Sequence, residues 1–133
     1  MEARTLCRSF PAEAGHLHRI RRFIRERADE AALSSDVAGD LVIAVSEACA
    51  NSALHTRCDQ LTISWNAETD RVEVAVEDDG VFSPVIPVPE LDGDGRGGRG
   101  IPLMMALMDE VSIRQGTEDS PGTVVRLVRY QAA

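Results

Sequence analysis

Three features of the sequence predict an α+β fold: a mostly antiparallel sheet with helices packed on one of its faces. Hydrophobic spacing runs at a helical period in the first half, then changes to strict alternation at Leu61, Ile63 and Trp65 and at Val72, Val74 and Val76. The elements read strand, helix, helix, strand, strand, loop, helix, strand, strand, without the alternating βαβ rhythm of a doubly wound sheet. The chain has 133 residues, 44% hydrophobic and 27% charged, which suits one domain over residues 1–133 with one real core.

Thr5 to Phe10 reads as a short strand. Glu13 to about Ala31 reads as a helix, because Leu17, Ile20, Ile24 and Ala28 recur at helical spacing. Its other face carries Arg19, Arg21, Arg22, Arg25 and Arg27, either a solvated face or part of a partner surface. Ser34-Ser35-Asp36 is a helix-start signal, and from Val37 to about His55 the positions Val37, Leu41, Ala44, Val45 and Ala48 keep the helical period. The two alternating runs that follow flank a turn at Asn66–Asp70, so they form a β-hairpin closed by Asp78-Asp79-Gly80. Residues 83–100 hold Pro84, Pro87, Pro89 and five glycines, a loop much longer than ordinary connections and so either functional or disordered. Pro102 stands where helices begin, and Leu103 to Met108 is a good helix former. Val111–Arg114 and Thr123–Tyr130, joined through Gly116 and Pro121-Gly122, make a second hairpin.

Composition excludes several functions. Fourteen basic against 22 acidic residues give a net charge of −8, a poor match to nucleic-acid phosphates. All the basic residues are Arg, so mechanisms that need a lysine, such as a Walker-type loop or a Schiff base, are ruled out. Cys7, Cys49 and Cys58 fit neither a zinc ribbon nor a CxxC pair and read as buried free thiols. No apolar run reaches the ~20 residues of a membrane span. Met1-Glu2-Ala3-Arg4 lacks the apolar core of a signal peptide, so a cytoplasmic address is expected.

Four segments carry candidate chemistry. In Ser46-Glu47-Ala48-Cys49-Ala50-Asn51-Ser52-Ala53-Leu54-His55, the residues Glu47, Asn51 and His55 lie four apart and share one helical stripe. An Asn oxygen suits Mg²⁺, and a carboxylate beside it can take a proton from a hydroxyl; a solvent-facing polar edge explains the stripe as well. Asp78, closing an apolar strand and followed by Gly80, is either a plain turn or an acceptor for an exocyclic amine such as that of adenine, with Gly80 letting a flat ring come close. Gly95-Arg96-Gly97-Gly98-Arg99-Gly100-Ile101-Pro102 opens a helix, and glycine amides there make an anion site. Gly122-Thr123 precedes the last strand and offers a hydroxyl.

Taken in this order, the four resemble the GHKL ATPase superfamily. More closely, they resemble its branch of bacterial anti-sigma factors with serine/threonine protein kinase activity. SEACANSALH looks like that branch's N box, VEDDGVF like its first glycine box, GRGIPLMMALMDEV like its second and GTVVRLVR like its last. The resemblance runs from about Leu41 to the end, and the first strand and helix also fit. It implies a two-layer α/β sandwich with a mixed, mostly antiparallel sheet, binding ATP with Mg²⁺ in a cleft. By position it makes Asn51 the Mg²⁺ ligand and Glu47 the general base. Asp78 would hold the adenine amino group with Gly80 beside the base; Gly98, Arg99 and Gly100 would line the phosphates as part of a mobile lid at about residues 83–100, and Thr123 would sit near adenine. The role of His55 stays open.

The same resemblance implies partners: an anti-anti-sigma protein as phosphate acceptor and a sigma factor held inactive, usually by a homodimer, with neither nucleic acid nor membrane bound directly. The alternative is an ATP-binding module that sequesters a partner without phosphate transfer. Two departures stand out. Glu90-Leu91-Asp92-Gly93-Asp94 makes the lid acidic, and His16 and His18 lack the surroundings of a phosphoacceptor helix, so a sensor histidine kinase is not expected.

Overall fold

Period-two alternation in the strands decides which side of the sheet is covered. The computed structural model describes residues 5–12, 14–55, 59–80, 100–115, 119 and 121–131. Its strands are β1 (Thr5–Pro11), β2 (Gln60–Ala67), β3 (Arg71–Asp78), β4 (Glu110–Arg114) and β5 (Val124–Tyr130), and its α-helices are α1 (Leu17–Glu30), α2 (Ser35–His55) and α3 (Gly100–Leu107). The described strands form one sheet in the order β1-β2-β3-β5-β4. The register pairs Ile63 with Val76 and Val76 with Val125, so Leu61, Ile63, Trp65, Val72, Val74, Val76, Val125 and Leu127 share one face. All are buried, in one cluster with Ile20, Phe23 and Ile24 of α1, Leu41, Ala44, Val45 and Ala48 of α2, and Met104 of α3. Phe10 of β1 joins this cluster edge-on to Phe23, with ring centroids 5.9 Å apart.

The sheet differs from the expected mixed one, because all the described pairings are antiparallel. Each chain reversal returns its strand beside an oppositely directed neighbour, even where helices intervene between β1 and β2. The second hairpin enters by its later strand: β5 pairs with β3, and β4 is left at the edge.

Element ends differ from the expected ones for local reasons. The first helix opens as a 3₁₀ turn, Ala14–His16, and becomes α-helical only at Leu17, where no side chain caps it. It closes in a Schellman turn: the Leu33 amide donates to Ala28 O and the Ala32 amide to Asp29 O, each at 3.0 Å. Ala32 takes the left-handed position, at φ 56°, that glycine usually occupies. Ser34 caps α2 with its hydroxyl accepting from the Val37 amide at 3.2 Å, so α2 starts at Ser35. Pro102 lies in the first turn of α3, where its missing N–H costs no hydrogen bond.

The other face of the sheet carries no described helix and is polar. Ser9 and Thr62 hydroxyls lie 3.0 Å apart, and Asn66 Nδ2 donates to Thr5 Oγ1 at 3.1 Å across β1 and β2. On β5, Val128 is fully buried on this face, outside the main core, between Glu73 and Glu110 in register. Arg126, two residues away, pairs with both glutamates, and the Tyr130 hydroxyl donates to Glu110, which raises its pKa. Cys7 also projects here and is exposed, whereas burial was expected for the thiols.

Candidate functional site

Asp78 is the next residue in phase after Val72, Val74 and Val76, so its carboxylate faces the helix side, and it is only 2% exposed. Main-chain amides hold one of its oxygens. Gly80 N donates to Oδ1 at 3.0 Å and Thr123 N at 3.2 Å. Asp78 N donates in turn to Thr123 O at 3.0 Å, which locks the end of β3 to the start of β5. The other oxygen, Oδ2, is buried without a hydrogen-bond partner among the described residues. A buried acceptor left unmade costs about 1–3 kcal/mol, so a donor brought by a ligand would find a prepared position.

Gly122 makes this cradle possible. Its φ of 113° is closed to ordinary side chains, and its amide donates to Gly80 O at 2.9 Å. Asp78, Gly80 and Thr123, singled out separately in the sequence, are thus brought into one hydrogen-bonded unit.

Glu47 and Asn51 sit half-buried on α2, with Ala48 and Cys49 between them turned into the core. The adjoining Ser46 hydroxyl donates to Val42 O at 2.7 Å and accepts from Arg21 Nε of α1 at 3.0 Å, which fixes α1 against this part of α2. Ser52, beside Asn51, is buried and its Oγ has no partner among the described residues. Cys49 is no nucleophile, because burial pushes its thiol up to about 12 against a small opposing pull from Arg21.

Helix α3 starts at Gly100 and packs along α2. Gly98, Arg99 and the acidic lid segment lie outside the described residues, as do Cys58 and the side chain of His55. Since α2 and α3 both cover the face toward which Asp78 points, the stripe, the α3 N-terminus and the carboxylate share one side of the sheet. A hollow of about 460 Å³ at the strand ends is lined by Thr62, Glu77, Asp78, Asp79, Pro121 and Gly122. Thr62 and Glu77 project from the helix-free face, so this hollow reaches the Asp78 end of β3 from that side.

The residues present fit a nucleotide's needs. Asp78 Oδ2 is an acceptor awaiting an N–H. Among the described residues no three His, Cys, Asp or Glu side chains converge as a metal cluster. Among the described residues, too, no helix is long and apolar enough to cross a membrane.

Sequence reasoning missed one group. Arg129, on the helix side of β5, donates from Nη1 to Asp40 Oδ2 of α2 at 2.8 Å and to Leu107 O of α3 at 2.7 Å. The available signal was Asp40, seven residues before Glu47 and so on the same stripe of α2.

An antiparallel sheet backed by helices on one face, with a buried acidic acceptor where β3 meets β5, is the architecture of a GHKL-type ATPase domain. The chain belongs to the histidine kinase-like ATPase domain family, whose model matches residues 10–129. It is 31% identical to the serine-protein kinase RsbW of Bacillus velezensis over 134 aligned positions, covering 90% of this chain and 81% of that protein. The RsbW of Bacillus subtilis matches with the same identity and coverage.

Among solved structures, the RsbU and RsbW domains of Rv1364c from Mycobacterium tuberculosis match with a TM-score of 0.72 at 19% identity. That match covers 98% of this chain but only 34% of the other, so this chain spans about a third of it. The histidine kinase domain of the Erythrobacter litoralis EL346 blue-light activated kinase matches with a TM-score of 0.54 at 21% identity, covering 90% of this chain and 61% of that one. Both structural likenesses concern the fold.

Proposed function

We propose that this chain is an ATP-dependent serine/threonine protein kinase that phosphorylates a small anti-anti-sigma protein and, as a homodimer in the cytoplasm, sequesters a sigma factor. The observation that carries the nucleotide reading is the carboxylate of Asp78, held by two main-chain amides with its second oxygen buried and unpartnered. Kinship at 31% identity to proteins named serine-protein kinase supports the reaction class.

In this reading Asp78 Oδ2 accepts a hydrogen bond from the adenine amino group, with Gly80 and Thr123 beside the base. Gly98, Arg99 and Gly100 surround the phosphates at the α3 N-terminus, where main-chain amides and the helix dipole favour negative charge. The Asn51 amide oxygen would hold Mg²⁺, which would neutralise phosphate charge. Glu47 takes the proton from the attacking serine or threonine hydroxyl as its oxygen bonds to the γ-phosphorus and ADP leaves. Such transfer is mostly positioning and charge neutralisation, so an Arg in place of a Lys suffices.

The test is incubation of the purified chain with labelled ATP and its candidate anti-anti-sigma partner. Label should pass to the partner and fall by a factor of about 10²–10⁴ in Glu47→Ala with the fold intact. Wild-type transfer in that variant would remove Glu47 from the role of base. A stable complex formed without any transfer would favour the non-catalytic module.

A further inference from the structure

The helix that opens at the proposed phosphate loop is short, packs along α2 and is hydrogen-bonded by a side chain at its far end. Helix α3 has eight residues, too few to be stable by itself. Met104 is its one fully buried side chain, while Ile101, Leu103 and Met105 are exposed. Its last residue, Leu107, presents one of the carbonyls that a helix end leaves without an internal partner, and Arg129 Nη1 supplies the hydrogen bond at 2.7 Å. The same nitrogen pairs with Asp40 of α2 at 2.8 Å, and both side chains are 28% exposed, enough shielding to strengthen a charge-assisted bond. The turn after α3 is fastened to the same strand, because Asp109 accepts from the Tyr130 amide at 2.6 Å and donates its own amide to Val128 O at 2.8 Å.

Asp40, Glu47 and Asn51 stand seven and eleven residues apart, within about 20° of whole turns, and so share one stripe of α2. Glu47 lies about 10 Å along the helix from Asp40, and α3 is itself about 12 Å long. A bridge between Asp40 and the C-terminal carbonyl of α3 therefore ties the far end of a short lever to the helix that bears Glu47 and Asn51.

We infer that Arg129 is a positioning residue: by joining Asp40 to the end of α3 it fixes where the N-terminal amides of α3 stand relative to Glu47 and Asn51. The inference rests on the nucleotide reading above for its phosphate-binding half, and on geometry alone for the latch. Asp78, the proposed adenine anchor, is held by Gly80 and Thr123 and does not depend on Arg129. Loss of the latch should weaken the grip on phosphates and leave the grip on the base.

The experiment compares wild type with Arg129→Met, Arg129→Lys and Asp40→Asn by hydrogen exchange without nucleotide and by titration with MgATP and with adenosine. In Arg129→Met the amides of α3 should exchange on the order of tenfold faster while those of β2 and β3 are unchanged. MgATP should bind on the order of tenfold more weakly, with adenosine affinity held within about twofold. Arg129→Lys, which keeps the charge, should recover part of both effects. Asp40→Asn, which leaves the Leu107 contact in place, should show them more mildly and serves if Arg129→Met fails to fold.

Unchanged α3 exchange in the folded variants, or equal weakening of MgATP and adenosine, would overturn the positioning role. A wild-type chain that binds neither compound would overturn the nucleotide reading, and the exchange data would still decide for or against the latch.

Discussion

Replacing Asp78 by Asn tests the proposed adenine anchor with almost no change of shape. In the native chain Oδ1 accepts from the Gly80 and Thr123 amides, at 3.0 and 3.2 Å. An asparagine must keep its oxygen there, since its NH₂ group cannot accept from those donors. The NH₂ then falls where the unpartnered Oδ2 now lies. An acceptor becomes a donor at the one position that would meet the adenine amino group. The loss of a hydrogen bond to a charged acceptor is worth about 1.5–3 kcal/mol, or roughly 10- to 150-fold in affinity. Inosine triphosphate carries a carbonyl where adenine has its amine, so the new donor should find an acceptor. Calorimetric titration of both nucleotides should therefore show ATP weakened by that factor and inosine triphosphate bound at least as well as by wild type. Far-UV circular dichroism should stay unchanged, because the Oδ1 bonds survive. A variant that bound ATP within about twofold of wild type, without any gain for inosine triphosphate, would refute the assignment of Asp78.

Three further outcomes are expected. Asn51→Ala should lose most of the Mg²⁺ dependence of ATP binding while metal-free binding changes little, as titrations with and without the ion would reveal. Ala32→Gly should raise stability by about 0.5–1 kcal/mol in urea unfolding, because the left-handed position at φ 56° strains any residue with a Cβ. Cys49 should give the fold an alkaline weakness. Its pKa rises from 9.0 to about 12 on folding, so its contribution is whole below pH 9 and disappears as pH climbs toward 12. Cys49→Ala should flatten stability against pH in that window, and an unaltered slope would contradict the burial argument.

The elements were legible because each had a local cause. Alternation marked β2 and β3, the Ser34 cap marked the start of α2, and Pro102 with the glycines before it marked α3. Glu47, Asn51 and Asp78 were legible as residue types in sequence order. What stayed hidden was pairing between distant segments. Arg129 reads as the second of two arginines in an otherwise largely apolar strand until Asp40 and Leu107, 89 and 22 residues away in sequence, are brought to it. Val128 reads as core, yet the register turns it to the helix-free face beneath Arg126 and its glutamates. Cys7 reads as one more buried thiol until strand parity places it in solvent.

Sequence by itself therefore determined the element types, the start of α2 at the Ser34 cap, the side of each β2 and β3 residue and the identity of the proposed site residues, since these follow from spacing and from interactions within a few positions. Tertiary structure decided that β5 rather than β4 joins β3, that the sheet is antiparallel in every described pairing, and that Asp78 keeps one oxygen bound and one bare. Those outcomes depend on hydrogen bonds between segments more than forty residues apart, such as Asp78 with Thr123, and no local periodicity encodes which distant amide a carboxylate will meet.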